Sequence, residues 1–478
     1  MKKELLLLVS ALPCAIFAQD RPNVVVVFVD QLSPWALGCY GNTEIRTPNI
    51  DQLANDGVIF NNAYCAKAVS TPSRGCMLTG LYPFGHKATN NQMLVDSSVE
   101  TYADVFNNAG YETAYMGKWH LAGHMGKNAD GTPDPHWNPE INGHFKDATY
   151  MYNNGHWKNI VDVKGGVPKV STRISGNPDE YGTDWIFQKG FEYISKHKGS
   201  PFCLVLSPPD PHPGFKVRAP YNTAVKMSEL SVPLSFNENN LVNQELVKPY
   251  PYKDKKSLLK NKAQYLGMVL CLDEYMGKLE EHLKKEGIYD NTIIIFTSDH
   301  GEMMGEYRLQ GKAVPYNTAY QIPLIMRIPN KGHVVVNEIY NNIDFKSTIA
   351  GLLDMKEGSR SHGRDLSSYI KDPKMPLQDE VVCLDFFNGK NDQAHVIALN
   401  QEYWFAAVFT TTKKGEITGV SRMLLFDRKK DKHQLVNLHG NKKYLEIERK
   451  MVARLRKEMQ RVNHPNLKDI KWIEKALN

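Results

Sequence analysis

The chain has 478 residues, 42% hydrophobic and 23% charged, which are ordinary globular proportions. They exclude a disordered or fibrous chain, supply a large core and favour two domains over one. The formal net charge of +6 is not gathered into one long run, so nothing points to a nucleic-acid partner.

Lys2 and Lys3 precede an apolar run from Leu5 to Ala18, which Gln19-Asp20-Arg21-Pro22 breaks. That order predicts a signal peptide over 1–19 and an exported mature protein, periplasmic or secreted. The run is shorter than the roughly 20 residues of a membrane-spanning helix, and no later segment reads as a span. Cys14 would leave with the signal. Cys39, Cys65, Cys76, Cys203, Cys271 and Cys383 are widely spaced and form no CxxC pair. They predict mostly buried free thiols, with no zinc or iron–sulfur site.

Val24 to Val29 is a continuous β-branched and aromatic run ending at Asp30, the pattern of a strand buried on both faces. A helix is predicted over Thr101–Ala109 and a strand over Tyr111–Met116. The stretch from Leu121 to Val170 lacks periodicity and is rich in Asn, Gly, Trp and His. It predicts a long surface insertion, a natural place for substrate loops. A helix over Asp184–Lys196 and a strand over Phe202–Leu206 follow. A long helix is predicted from Leu258 to Glu286, then strands over Thr292–Thr297 and Leu324–Ile328 and a helix over Asp344–Leu353. Strands alternating with helices predict an α/β fold: a large, mostly parallel sheet sandwiched by helices. After about Ser368 the pattern changes to short strands over Val381–Leu384, Val396–Leu399, Tyr403–Val408 and Met423–Phe426. A basic amphipathic helix, Leu445–Met459, closes the chain. The predicted division is a main domain over 20–368 and a smaller antiparallel sheet with a terminal helix over 369–478.

In parallel sheets the chemistry sits beyond the carboxyl ends of the strands, and Asp30, Lys118, His212 and Asp299 all follow predicted strands. Three groups of residues stand out. Ser70-Thr71-Pro72-Ser73-Arg74, with Leu78-Thr79-Gly80 downstream, could be a plain helix start with Ser as cap and early Pro. Its four fixed residues would still recur by chance in only about one chain in several hundred. Asp30-Gln31 and Asp299-His300 offer oxygen and imidazole donors suited to a divalent cation, although a strand-end Asp also caps helices. Arg74, Lys118-Trp119-His120, His212 and Lys312 are donors of the kind a tetrahedral anion needs, although single surface Lys and His residues are common.

Taken in order, these segments resemble the sulfatase family of the alkaline-phosphatase-like superfamily, along most of the mature chain. Arg21-Pro22-Asn23 with the first strand and Asp30-Gln31 is similar to the family's opening. Gly38-Cys39-Tyr40-Gly41-Asn42 and Thr47-Pro48-Asn49-Ile50-Asp51 follow. Ser70 to Gly80 matches the family signature and Gly117-Lys118-Trp119-His120-Leu121 its second motif. Pro211-His212, Ser298-Asp299-His300-Gly301-Glu302 and Gly311-Lys312 complete the set. Leu425-Phe426-Asp427 to Asn437-Leu438 resembles its last strand and turn.

The resemblance implies an alkaline-phosphatase-like fold and hydrolysis of sulfate esters. It implies that Ser70 is oxidised to formylglycine (3-oxoalanine) by an anaerobic serine-type maturase, the aldehyde hydrate being the nucleophile. Asp30, Gln31, Asp299 and His300, with the modified Ser70, would hold Ca²⁺ in preference to Mg²⁺. Gln31 and His300 depart from the commoner Asp and Asn. Arg74 would steady the modified side chain; Lys118, His212 and Lys312 would bind sulfate. His212 would act as the acid on the leaving oxygen and His120 as the base. Export, mild basicity and the insertion's His124, His136, Trp137 and Trp157 suit a sulfated carbohydrate, a glycosaminoglycan or mucin-type glycan. Two other readings are a phosphonate or phosphate ester hydrolase of the same superfamily and a catalytically silent glycan-binding protein.

Overall fold

A computed structural model describes residues 21–124, 141–153, 155–164, 168–236, 252–359, 361–378, 382–386 (backbone only) and 394–478. His136 and Trp137, and the signal predicted over 1–19, lie outside the described residues.

An eight-stranded sheet forms the centre. Its strands are β1 (Asn23–Val29), β2 (Val58–Phe60), β3 (Glu112–Lys118), β4 (Met151–Tyr152), β5 (Phe202–Ser207), β6 (Thr292–Ser298), β7 (Leu324–Arg327) and β8 (Val334–Val336), in the order β8-β2-β7-β6-β1-β5-β3-β4. Only β7 runs against the others. Side chains of β1 alternate between two cores: Val24, Val26 and Phe28 enter one, Val25, Val27 and Val29 the other. That alternation is why an unbroken apolar run folds as a strand with no wet face. Helices α1 (Pro48–Asn55), α4 (Gly182–His197) and α5 (Lys255–Lys285) cover one face. Helices α2 (Ser70–Thr79), α3 (Tyr102–Asn108) and α6 (Phe345–Leu352) cover the other. The predicted mostly parallel sheet sandwiched by helices is therefore the one observed.

The C-terminal sheet, β9 (Val382–Phe386), β10 (His395–Leu399), β11 (Tyr403–Thr411) and β12 (Ile417–Asp427), is antiparallel throughout. One face, through Ile397, Leu399, Trp404 and Ala406, joins the core of the main sheet. The other is covered by α7 (Leu445–Arg461) and α8 (Ile470–Ala476). Strands β11 and β12 run several residues past the predicted ends, since exposed Thr410 pairs with Gly419 and Phe409 with Val420. Ladder hydrogen bonds extend a hairpin beyond the apolar pattern that announces it.

The stretch over 121–170 is not simply a surface insertion. Met151–Tyr152 adds the edge strand to the main sheet, and Phe145, Met151 and Trp157 are buried. Trp157 is buried in the core that also holds Ile160 and Trp185, so it offers no ring face to a sugar; His124 is exposed. Cys39, Cys203 and Cys271 are free thiols, half-buried at Cys39 and buried at the other two, and Cys65 and Cys76 are buried. No helix among the described residues is long and apolar enough to cross a membrane.

Candidate active site

Strand register assembles the centre. Val29 pairs with Ser298, so the next residues, Asp30 and Asp299, emerge side by side at the carboxyl edge. Lys118 ends β3, and Asp210 to His212 follow β5. Helix α2 points its first turn at the same edge. Ser70 is its first residue, and Arg74, one turn later, shares its face. All ten residues of α2 are buried.

Ser70 Oγ lies 2.9 Å from His300 Nε2. Asp299 Oδ1 accepts from the backbone N–H groups of Gln31 and His300, each at 2.9 Å, while Oδ2 accepts from Arg74 Nε at 3.1 Å. Arg74 also donates to the Lys118 carbonyl at 2.8 Å and the Ser207 hydroxyl at 2.9 Å, and lies over the Phe28 ring. Lys118 Nζ donates to Asp30 Oδ2, and Lys312 Nζ to Gln31 Oε1. Lys312 Nζ is also 3.2 Å from His212 Nε2. His120 is buried with Nδ1 unpartnered, and the Thr71 hydroxyl donates to its carbonyl at 2.9 Å. The residues singled out from the sequence thus converge on one edge.

Two of them hold left-handed backbone, Gln31 (φ 65°) and His120 (φ 63°). Non-glycine residues in that region cost roughly 1–3 kcal/mol and gather where geometry matters more than stability.

Burial alone would raise the Asp30 carboxyl, but the charges of Lys118 and Arg74 hold it well below the usual range. Burial pushes Lys118 down to about 8, against the pull of Asp30. Both partners shift down because burial outweighs the pull of Asp30 on Lys118, and the Arg74 guanidinium adds to it. Burial lowers His300 to about 4. His120 and His212 are held well below the ordinary imidazole value, first by burial, then by Lys118 and Lys312 respectively. These rings are neutral near pH 7.

A divalent cation fits this donor set. Ligand atoms of Asp30, Asp299 and His300 lie within 4.8 Å of one another. Asp30 Oδ1 is buried without a hydrogen-bond partner. Glu302 accepts from Gln31 Nε2, which turns the amide oxygen inward, and is itself fixed by the N–H groups of Met304 (3.0 Å) and Gly311 (2.7 Å). Two carboxylates and an amide oxygen are the hard donors that Ca²⁺ or Mg²⁺ takes.

Three features were not read from the sequence. Glu302 sat inside a quoted motif without a role. Lys158 and Asp210 form a buried ion pair behind the site. His156 stacks on His212 with ring centroids 3.4 Å apart and Nδ1 3.8 Å from Asp30 Oδ2. Gly155-His156-Trp157-Lys158 follows no strong strand signal, so nothing in the chain marked His156 or Lys158.

The sulfatase family profile matches residues 22–355, and that of the N-sulphoglucosamine sulphohydrolase C-terminal region matches 305–461. An ulvan-active sulfatase of Formosa agariphila is 27% identical over 456 residues, covering 92% of this chain and 81% of its own. An N-acetylglucosamine-6-O-sulfatase of Bacteroides thetaiotaomicron is 25% identical over 525 residues, covering 94% and 88%. A solved structure in complex with its substrate D-glucosamine-2-N,6-O-disulfate superposes with a TM-score of 0.76 at 21% identity, covering 93% and 99%, and shares the alkaline-phosphatase-like fold. With most of its length matched and the fold in place, this chain belongs to the sulfatase family and is a sulfuric ester hydrolase.

Proposed function

We propose that this sulfatase acts on a sulfated carbohydrate, of glycosaminoglycan or mucin type, with a nucleophile derived from Ser70. The observation that carries the reading is Ser70 Oγ at 2.9 Å from His300 Nε2, at the start of a wholly buried helix facing Asp30, Asp299 and Arg74. The carbohydrate class is supported by relatives named for ulvan and N-acetylglucosamine-6-O-sulfate activity. The basic run and apolar stretch ahead of Gln19 support export to the periplasm or beyond.

An unmodified Ser70 is a weak nucleophile. No base stands beside it in the sequence; the fold supplies His300, but burial lowers that ring to about 4, too weak to activate a serine near neutral pH. This supports oxidation of Ser70 to formylglycine by an anaerobic serine-type maturase. Asp30, Gln31, Asp299 and His300, with the modified Ser70, are the residues that would hold Ca²⁺. When present, the two groups supply a hydrate hydroxyl of lowered pKa and a Lewis acid for the sulfate.

The chain's own residues do the rest. Arg74, locked by Asp299 and by carbonyl and hydroxyl acceptors, holds the nucleophile's surroundings rigid. Lys118 and Lys312 bind sulfate oxygens from two sides. His212 donates Nδ1–H to the Pro213 carbonyl at 3.0 Å, leaving Nε2 toward the site. Burial and Lys312 keep that ring neutral; a bound sulfate anion offsets Lys312 and restores the proton His212 gives to the leaving oxygen. His120, neutral and with a free Nδ1, is the base that frees the sulfate from the nucleophile.

The test is sulfate release from sulfated sugars by native protein and Ser70→Ala, each co-expressed with a serine-type maturase. Release should fall to background in the variant. Equal release would sink the nucleophile assignment, and faster turnover of a phosphonate or phosphate ester would replace the substrate class.

A further inference from the structure

We propose that His156 is a substrate-binding residue that accepts a hydrogen bond from a sugar hydroxyl beside the sulfate ester, and that the buried Lys158–Asp210 pair positions it.

His156 keeps 30% of its side chain exposed, directly above fully buried Asp30. Its Nδ1 is buried, has no hydrogen-bond partner and faces Asp30 Oδ2 at 3.8 Å, so the exposed edge is the one carrying Nε2. A carboxylate in front of Nδ1 favours the tautomer with the proton there, and Nε2 then presents a lone pair. A lone pair suits a hydroxyl donor, whereas sulfate oxygens need donors and already meet Lys118 and Lys312.

Asp30, His156 and His212 are close enough together to suggest a second cation site. The rings argue otherwise. Parallel to within 8° and 3.4 Å apart, they send their in-plane lone pairs side by side, without converging on one ion. Stacking instead makes the two imidazoles a single plate at the mouth.

Both loops behind the plate are tied together two residues away. Lys158 Nζ pairs with Asp210 Oδ1, with side-chain exposures of 2% and 1%. Asp210 Oδ2 accepts from the hydroxyls of Tyr181 at 2.6 Å and Thr183 at 2.7 Å, and its carbonyl accepts from Asp30 N–H at 3.2 Å. The pair therefore sets the distance between the His156 loop, the His212 loop and the end of β1. Lys158 and Asp210 do not reach substrate; they are positioning residues.

The inference rests on the sulfated-carbohydrate reading, and the native protein tests that first. Native enzyme is assayed on a panel of sulfated monosaccharides and on 4-nitrophenyl sulfate, which has no neighbouring hydroxyl. Turnover of the aryl ester but no sugar would overturn the substrate class and the inference with it. Given sugar turnover, His156→Phe, which keeps a stacked ring but no acceptor, should lose at least about tenfold more kcat/KM on the sugar than on the aryl ester, mainly through KM. Equal losses on both esters, or none, overturn the role of His156. Lys158→Met should lower the same selectivity ratio, add little to it in the His156→Phe background, and be rescued by Lys158→Arg. Additive losses overturn the positioning role. If Lys158→Met does not fold, the rescue series and His156→Phe still decide.

Discussion

On the strand side of the site, Asp30, Lys118 and Asp299 are sealed at 0% side-chain exposure and Arg74 at 1%, and all their side-chain polar atoms except Asp30 Oδ1 and Arg74 Nη2 have hydrogen-bond partners. On the loop side, His156, His212 and Lys312 are partly exposed and lean on one another. The strand side is held by sheet register and helix packing, which admit one arrangement. The loop side is held by a few contacts between connections that need not have met. The nucleophile and the proposed cation ligands belong mainly to the first side; His212 and Lys312 reach the sulfate from the second, where His156 would discriminate among alcohols.

If that division is right, damage to the strand side should abolish activity and stability together. Asp299→Ala removes the acceptor of two backbone N–H groups, a proposed cation ligand and the nearer of the two carboxylates beside Arg74. Turnover should fall by at least about 10³-fold. Taking the nearer carboxylate from a buried guanidinium should cost on the order of 3–5 kcal/mol, read from denaturant unfolding. A stable Asp299→Ala protein with reduced activity would break the comparison. Chelation with EGTA should likewise abolish turnover and lower Tm, and Ca²⁺ should restore both.

Loop-side damage should separate the two readouts. Lys312→Ala should weaken substrate binding about 10- to 100-fold, mainly in KM, with Tm close to native. Glu302→Gln tests the seam between the sides. Its carboxylate accepts from Gln31, Met304 and Gly311. An amide must turn an NH₂ toward one of these donors, so we expect about a tenfold loss in turnover and a stability loss of about 1–3 kcal/mol.

The same division explains what could be read from the chain. Val24 to Asp30 and Thr292 to His300 announce themselves because a strand buried on both faces must be apolar throughout and its first polar residue must be at the edge. Asp30, Lys118, His212 and Asp299 were legible for that reason, and Ser70 through its compact segment with Arg74. The pairing of β2 with the antiparallel β7 was not, since three-residue strands carry too few side chains to show a period. His156 was not, because its place depends on Lys158 meeting Asp210, 52 residues away. Trp157 misled because an aromatic in an aperiodic, polar stretch looks exposed, while here the stretch folds under the sheet edge.

The smallest effect concerns pH and the underside of α2. His86 is fully buried, packed against Gly75 of α2, and accepts from Ala88 N–H through Nδ1 at 3.2 Å. Burial lowers it to about 3, against an ordinary value of 6.5. Between those limits the unfolded chain binds the proton and the folded one does not, so stability rises with pH and is lost on acidification. Near pH 5 this one group should remove about 2 kcal/mol relative to pH 7. His86→Gln keeps an acceptor for Ala88 but cannot take a proton. Its unfolding free energy should therefore vary less between pH 7 and 5 than that of the native protein, while turnover at pH 7 changes little. An unchanged slope would mean that His86 is protonated in the folded state, and that the underside of the strand side is less sealed than its upper face.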